Sequence, residues 1–221
     1  MKYYPLFLHL AGRRCLVVGG GQVAEKKVES LLRAGAQVTV VSPELTPRLA
    51  ALAAARTIEC HQRPYMPGDL AGCFLAYAAT SDEPVQSAIA VEAGTAGVLL
   101  NVVDRAQLSD FIAPAIVERG DLCLAVSTAG ASPALAKRIR QDLEKAFGSE
   151  YELALELLGR LRRHLATPSR SSAERQRIFS TLVNSPLLDY LRQRQTHEID
   201  RLLAQIVGDD VSLATLGMEL G

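Results

Sequence analysis

Short apolar runs alternate with helical stripes through the first half of the chain. The runs Arg14–Gly19, Gln37–Val41 and Val98–Val103 are rich in β-branched side chains, which is typical of buried strands in parallel sheets. Shorter runs predict two more strands, at Thr57–Cys60 and Phe74–Ala79. Helices are predicted between them: a stripe from Ala24 to Leu32 that stops at Gly35, a helix from Thr46-Pro47 to about Ala55, and one from Asp82 to near Gly94. The alternation predicts an α/β fold with a Rossmann-type, doubly wound parallel sheet.

The pattern changes after about residue 110. Two extended runs, Ile112–Glu118 and Leu122–Ser127, are separated by Arg119-Gly120-Asp121 and predict a hairpin. Ser132-Pro133 then caps a helix that continues to Ala146. From Glu150 onward the pattern is helical throughout, with breaks predicted at residues 167–169 and at Ser185-Pro186.

Composition narrows the class of protein. The 221 residues contain 24 basic and 24 acidic side chains, so the chain lacks the basic excess of most nucleic-acid binders. It also lacks an apolar run of about 20 residues, the length of a membrane span, and a convincing secretory leader. We therefore expect a cytoplasmic protein with no nucleic-acid or membrane partner.

A glycine-rich turn offers the first candidate chemistry. Residues 19–24 read G-G-G-Q-V-A, which fits the dinucleotide pattern G-x-G-x-x-G/A between a strand and a helix. Gly19 would permit a tight turn, Gly21 would let the backbone approach a pyrophosphate, and Ala24 would let the helix pack closely on the sheet. The pattern predicts a dinucleotide site, although a plain tight turn is the alternative.

The second predicted strand would normally end in an acidic residue that binds the adenosine ribose. Here it is followed by Ser42, Pro43 and Glu44. Glu44 could bind the ribose from the following turn, and Ser42 offers a hydroxyl. Because no arginine stands at this tip to meet a 2′-phosphate, NAD is favoured over NADP.

Two polar positions follow later strands. Asp104 ends the strand Val98–Val103 at the carboxyl edge of the sheet, where it could remove a proton or accept a metal, or only cap a loop. The segment Ser127–Pro133 is rich in small and hydroxyl residues and ends at a helix N-terminus. It could bind an anionic substrate group, or Ser132 could simply cap the helix.

The remaining reactive side chains show little pattern. Four cysteines stand in or beside apolar runs without a Cys-x-x-Cys pair, which favours buried thiols over a zinc site: Cys15, Cys60, Cys73 and Cys123. The four histidines show no metal spacing.

Arginines are concentrated in one segment of the second half. Between Arg160 and Arg177 there are six arginines and one acid, Glu174, which indicates either a solvated helix face or a docking surface for a polycarboxylate.

Four stretches together resemble a known family. They are Tyr4-Pro5-Leu6-Phe7, the glycine turn with its continuation at 17–27, N-V-V-D at 101–104 with F-I-A-P-A-I at 111–116, and A-V-S-T-A-G-A-S-P-A-L-A at 125–136. The chain is similar to the precorrin-2 dehydrogenase/sirohydrochlorin ferrochelatase module, which occurs alone or as the N-terminal part of siroheme synthase. The methyltransferase half of the fused enzymes is absent from the 221 residues, which implies a stand-alone form with methylation carried out elsewhere.

The resemblance implies three segments: an NAD-binding Rossmann domain at 1–112, a dimerisation segment at 113–149 and a helical domain at 150–221. The active site would lie between the first and the last, in a homodimer. NAD would contact Gly21, Gln22 and Val23, as well as Pro43 and Glu44. Asn101, Ser127, Thr128 and Ser132 would bind the tetrapyrrole.

The resemblance also implies the chemistry. Precorrin-2 would lose hydride to NAD and a proton to Asp104, giving sirohydrochlorin. Fe²⁺, or Co²⁺, would then enter the macrocycle as substrate, with Asp104 as a transient ligand. A monofunctional dehydrogenase is the nearest alternative. An NAD-sensing regulator that contacts nucleic acid is a remote one, because residues 151–221 hold nine arginines, no lysines and nine acids.

Overall fold

The computed structural model describes residues 2–166 and 170–220. The chain divides into two compact units, Met1–Ala113 and Pro114–Gly221. Each unit has its own hydrophobic core, so each is described by itself.

A five-stranded parallel sheet forms the centre of the first unit. Its strands are β1 (Arg14–Val18), β2 (Gln37–Val41), β3 (Glu59–His61), β4 (Leu75–Ala78) and β5 (Leu99–Val102). Their order in the sheet is β3-β2-β1-β4-β5, and every neighbouring pair is parallel. The order reverses between β1 and β4, which is the place where open α/β sheets bind ligands. The predicted fold class is confirmed.

Helices cover both faces of this sheet. They are α1 (Gln22–Arg33), α2 (Pro47–Ala54) and α3 (Glu83–Ala96). The apolar sides of α1 and α2 pack on one face, through Val28 and Leu49 among others. Helix α3 packs on the other face, through Ile89 and Ala93. Burial on both sides explains why the strands consist of nearly continuous apolar runs.

The connection from β3 to β4 is a loop without a helix. Glu92, which lies on α3, accepts hydrogen bonds from the hydroxyl of Tyr65 and from the backbone amides of Gly68 and Leu70. Arg63 and Asp69 form a two-pronged ion pair within the same loop. These contacts hold the loop against α3 in place of a crossover helix.

Two predicted boundaries in this unit were wrong. Helix α3 continues through Gly94 and stops at Gly97, which has a left-handed φ of 67° and whose amide donates to the carbonyl of Ala93. Strand β3 begins two residues later than predicted, because the amide of Thr57 is still bound to the carbonyl of Leu52 at the end of α2. Both errors arise at turns, where the conformation of one residue sets the boundary.

The second unit begins with a hairpin and a helix. Strands β6 (Ala115–Arg119) and β7 (Leu122–Val126) pair antiparallel, and α4 covers Pro133–Ala146. Gly120 has a φ of 56° at the first position of the two-residue loop, as the tight hairpin turns require. The hairpin was predicted, but its first strand starts three residues later, after Pro114, which has no amide to donate.

Helices form the rest of the second unit. They are α5 (Glu150–His164), α6 (Ser172–Val183), α7 (Leu187–Arg192) and α8 (Thr196–Ile206). A tail follows, and its apolar side chains, such as Leu213 and Met218, pack against the same core. The break at Ser185-Pro186 is confirmed between α6 and α7, whereas the break predicted at residues 167–169 lies outside the described residues. None of the helices in the described ranges is long and apolar enough to span a membrane.

The buried leucines of this helical core should dominate its stability. Leu203 is 0% exposed, so we expect Leu203→Ala to lower the free energy of unfolding by about 2–5 kcal/mol, since it leaves a cavity. Val183 is 59% exposed, and Val183→Ala serves as the control with little change. Urea unfolding followed by circular dichroism measures both. Equal losses in the two variants would contradict this description of the core.

Candidate cofactor and substrate site

The glycine turn lies at the switch point of the sheet. Gly19 follows β1 directly, has a φ of 121°, and donates its amide to the carbonyl of Val41 at 2.9 Å. A Cβ at Gly19 would lie 2.3 Å from the carbonyl oxygen of Ala79, just after β4. Glycine is therefore required here both by the conformation and by the space between the ends of β2 and β4.

The middle glycine is the most crowded of the three. A Cβ at Gly20 would lie 1.9 Å from the carbonyl oxygen of Glu44 and 2.8 Å from the hydroxyl oxygen of Ser42. The carbonyl of Gly20 also accepts the amide of Thr46 at 2.9 Å. Sequence reasoning assigned no role to Gly20, because the dinucleotide pattern leaves this position unrestricted. The sequence did carry one indication of this restriction, since it has three consecutive glycines where the dinucleotide pattern requires only two.

Gly21 faces open space. It is the N-terminal cap of α1 and has an extended backbone. A Cβ there would meet no atom within 4 Å. Gln22 and Val23 are exposed, while Ala24 is buried against the sheet. The first amides of α1 lack partners within the helix, so this end can receive an anionic group without displacing a protein contact.

The tip of β2 packs beside the turn. Ser42 is buried, and its hydroxyl donates to the carbonyl of Glu44 at 2.7 Å, so it builds the turn. Pro43 and Glu44 are exposed. The hydroxyl of Thr46 accepts the amide of Leu49 and donates to the carboxylate of Glu25 at 2.6 Å. These contacts tie the starts of α1 and α2 together and leave the Glu44 side chain facing solvent.

Asp104 lies at the carboxyl edge of β5 in a left-handed conformation, with a φ of 61°. Only a few per cent of non-glycine residues adopt such a φ, and they often occur at functional positions. The neighbouring backbone is fixed, since the amide of Val103 donates to Ala78 and that of Arg105 donates to Val102. The side chain of Asp104 is exposed. The turn therefore presents a carboxylate at the ligand-binding edge.

Side chains from the following segment satisfy the outer edge of β5. The amides of Leu100 and Val102 donate to the carboxylate of Asp110 and the hydroxyl of Ser109, both at 2.9 Å. The side-chain amide of Asn101 donates to the carbonyl of Phe111 at 2.8 Å. Asn101 thus has a structural contact, and its role toward substrate stays a prediction. The sequence did not indicate Ser109 and Asp110, because their side chains reach the amides of β5 only when the following segment folds back along that strand.

The hydroxyl-rich loop belongs to the second unit, where its polar groups bond to one another. Ser127 accepts the amide of Ala129, and Thr128 binds both the amide and the carbonyl of Ser132. Ser132 caps α4 by accepting the amide of Leu135 at 3.2 Å, so the capping interpretation is confirmed. Ala129 has a φ of 52°, which places a strained residue at the tip of this loop.

Most of the arginine-rich segment serves the second unit itself. Arg160 donates to the carbonyls of Leu216 and Gly217, and Arg170 donates to that of Val207. Arg175 donates to a backbone carbonyl, and Arg162 stacks on Phe179. Arg163 and Arg177 are exposed. Four of the six side chains thus connect parts of the helical domain, which weakens the hypothesis of a docking surface.

The cysteines are free thiols, with Cys15 buried and the other three partly buried. Burial, together with the nearby Cys73, raises the pKa of Cys15 to about 11, which keeps its thiol protonated at neutral pH. Over residues 2–166 and 170–220, no group of three or more metal-ligating side chains is present. The described residues therefore offer no tight structural metal site.

Two family models match this chain. A family of NAD(P)-binding domains matches residues 6–115, and the central-domain family of sirohaem biosynthesis proteins matches residues 119–146. The siroheme synthase of Stutzerimonas stutzeri is 38% identical over 205 residues, and that of Chromobacterium violaceum is 41% identical over 189. These matches cover 93% and 86% of this chain but 44% and 40% of the relatives, so the chain spans less than half of their length.

A solved structure is also similar. The precorrin-2 dehydrogenase SirC superposes with a TM-score of 0.76 at 27% identity. The match covers 92% of this chain and 98% of that protein. The likeness thus extends over both units.

Two alanine variants separate the roles of the glycines. We expect Gly20→Ala to destabilise the protein by about 1–3 kcal/mol or more, because its Cβ would overlap a backbone carbonyl. Gly21→Ala should retain wild-type stability, since its Cβ meets open space, but should weaken NADH binding. Thermal unfolding and NADH fluorescence titration measure the two effects. Unchanged NADH affinity in Gly21→Ala would argue against a dinucleotide at this turn.

Proposed function

The chain belongs to the precorrin-2 dehydrogenase/sirohydrochlorin ferrochelatase family, and we propose that it catalyses the NAD-dependent oxidation of precorrin-2 to sirohydrochlorin in siroheme biosynthesis. The observation that carries this proposal is the placement of an open glycine turn and an exposed, left-handed Asp104 on one edge of one parallel sheet. That edge is where ligands of such sheets bind.

The residues of the turn fit a dinucleotide. Gly21 leaves room for the close approach of a pyrophosphate, and the first amides of α1 would bind its charge. Gln22 and Val23 would contact the cofactor from α1, Glu44 would accept ribose hydroxyls, and Pro43 would line the same side. Arg48, the nearest arginine after β2, pairs with Glu29 at 3.5 Å, which favours NAD over its 2′-phosphorylated form. NAD supplies the hydride acceptor when it is bound.

Asp104 is the proposed general base. The oxidation removes one hydrogen as hydride and another as a proton, and a carboxylate at this edge can take the proton. Hydrogen bonds of the neighbouring amides fix its backbone, and its exposure keeps the carboxylate reachable by a large macrocycle. Asn101, Ser127, Thr128 and Ser132 are the proposed contacts for the polar groups of the tetrapyrrole.

We also propose that Fe²⁺ enters sirohydrochlorin on this protein, while two pyrrole N–H protons leave. The support is the similarity to siroheme synthases, of which the match covers less than half of the length. Asp104 would be a transient ligand of Fe²⁺ or Co²⁺ and an acceptor for one of the protons. An isolated carboxylate suits release of the metal into the product better than storage. A dehydrogenase without chelatase activity is the second candidate, favoured by the likeness to SirC.

A homodimer in the cytoplasm, without a nucleic-acid or membrane partner, is the proposed state. Helix α4 exposes Leu135 and Ile139, which lie four residues apart and therefore on one side of the helix. The adjoining hairpin is mostly half-buried in the single chain. A second copy would cover these apolar surfaces. Four free thiols agree with a reducing compartment.

Replacing the proposed base should separate chemistry from binding. Asparagine tolerates the left-handed conformation, so Asp104→Asn should keep the turn and remove the base. We expect turnover of precorrin-2 to fall by about 10²–10⁴-fold, with NADH affinity unchanged. Anaerobic absorbance assays measure turnover. Normal turnover in Asp104→Asn would disprove the catalytic assignment.

Metal insertion can be tested with the wild-type protein. Under anaerobic conditions, we expect NADH to form when precorrin-2 and NAD are supplied, and the siroheme absorbance to appear faster than the uncatalysed rate when sirohydrochlorin and Fe²⁺ are supplied. Co²⁺ in place of Fe²⁺ tests the metal preference. NADH formation without accelerated metal insertion would leave the monofunctional dehydrogenase as the correct function.

A further inference from the structure

Lys27 carries a partly buried charge on the face of the sheet that α1 covers. Its ammonium lies 5.1 Å from the ring centroid of Tyr77, which is the last residue but one of β4. Side chains of a helix lean toward its N-terminus, so Lys27 reaches from the second turn of α1 toward the glycine turn. The charge therefore lies beside Tyr77, one residue before β4 ends, on the side of the sheet from which α1 starts at the glycine turn.

The surroundings of Lys27 are held in place. The ring of Phe111 packs edge-on against Tyr77, with the centroids 5.5 Å apart. Asn101 in turn fixes the backbone of Phe111 through its carbonyl. The Tyr77 ring, over which the ammonium lies, is thus held by the stretch that follows β5.

This ammonium has no anionic partner within the described part of the chain. The two acids nearest to it on α1 are engaged elsewhere, Glu25 with Thr46 and Glu29 with Arg48. Burial lowers the pKa of Lys27, since desolvation disfavours its charged form. An aromatic face compensates only part of the hydration that a buried ammonium loses. A bound anionic group would complete the compensation.

We propose that Lys27 is an anion-binding residue of this site, whose ammonium pairs with an anionic oxygen group of a bound ligand. The group is either a phosphate of the dinucleotide or a carboxylate of the tetrapyrrole. The inference rests on the proposed function for the identity of these two ligands. Lys27 is thus a binding residue of the α1 face, separate from the amides at the N-terminus of that helix.

Substitutions on α1 can measure what the ammonium of Lys27 contributes to ligand affinity. Lys27→Met keeps the length of the aliphatic stem and removes the ammonium, whereas Lys27→Arg keeps a cation. Lys26→Met is the matched control, because Lys26 is the exposed neighbour on the same helix. Two titrations measure each variant: NADH by its fluorescence, and uroporphyrin III, a stable macrocycle with eight carboxylates, by its absorbance. Thermal unfolding monitors the integrity of the fold.

The expected result is a loss of about tenfold in affinity for one probe in Lys27→Met, the size of one charge-assisted contact. Lys27→Arg should recover most of it, and Lys26→Met should bind as wild type does. Weaker NADH binding identifies a phosphate as the partner, and weaker uroporphyrin binding identifies a carboxylate. Wild-type affinity of Lys27→Met for both probes would overturn the proposal, as would a loss that follows only from a lowered melting temperature.

These titrations do not require turnover. A wild-type protein that binds both probes but fails to oxidise precorrin-2 would refute the proposed function, while the comparison of Lys27→Met with Lys26→Met would still decide the role of Lys27. A wild-type protein that binds neither probe would refute both.

Discussion

The arrangement of the carboxyl edge of the sheet depends on one close backbone contact, between the glycine turn and the carbonyl of Glu44. Gly20 lies so close to the Glu44 carbonyl that no side chain fits between them. The same residue accepts the amide of Thr46, which caps α2 and binds Glu25 of α1. One close approach therefore fixes the end of β1, the tip of β2 and the starts of two helices. A site for a dinucleotide needs these elements in register, since the ligand spans them.

Much of this fold could be predicted because its determinants are local in sequence. Buried strands are marked by β-branched runs, and the caps at Thr46, Asp82 and Ser132 are marked by their own residue types. The boundary at Gly97 could not be separated from Gly94, because either glycine can end a helix, and only packing decides which one turns left-handed. Gly20 was missed for a related reason, since its restriction comes from a carbonyl 24 positions away in the chain.

The candidate site was predictable in part. Asp104 and the glycine turn follow strands, and parallel strands bring their carboxyl ends to one edge. The sequence did not indicate which side chains support β5, the strand that precedes Asp104. Ser109 and Asp110 return along β5 and satisfy backbone amides that a sixth strand would otherwise bind. Side chains thus close the outer edge of the sheet, which prevents pairing with another chain and supports the strand that carries Asp104.

The helix-free connection between β3 and β4 has a consequence for the dynamics of the molecule. One carboxylate, that of Glu92, receives three hydrogen bonds from this loop, and the fully buried side chain of Leu70 anchors the loop in the core. Loss of that single acceptor would release all three donors together. We therefore expect the loop to open as a unit, with an opening free energy below that of the hydrogen-bonded sheet. The loop starts at the end of β3, whose last residue, His61, accepts the amide of Ser42 at 3.2 Å, so we expect its opening to reach the tip of β2 at the proposed ligand site.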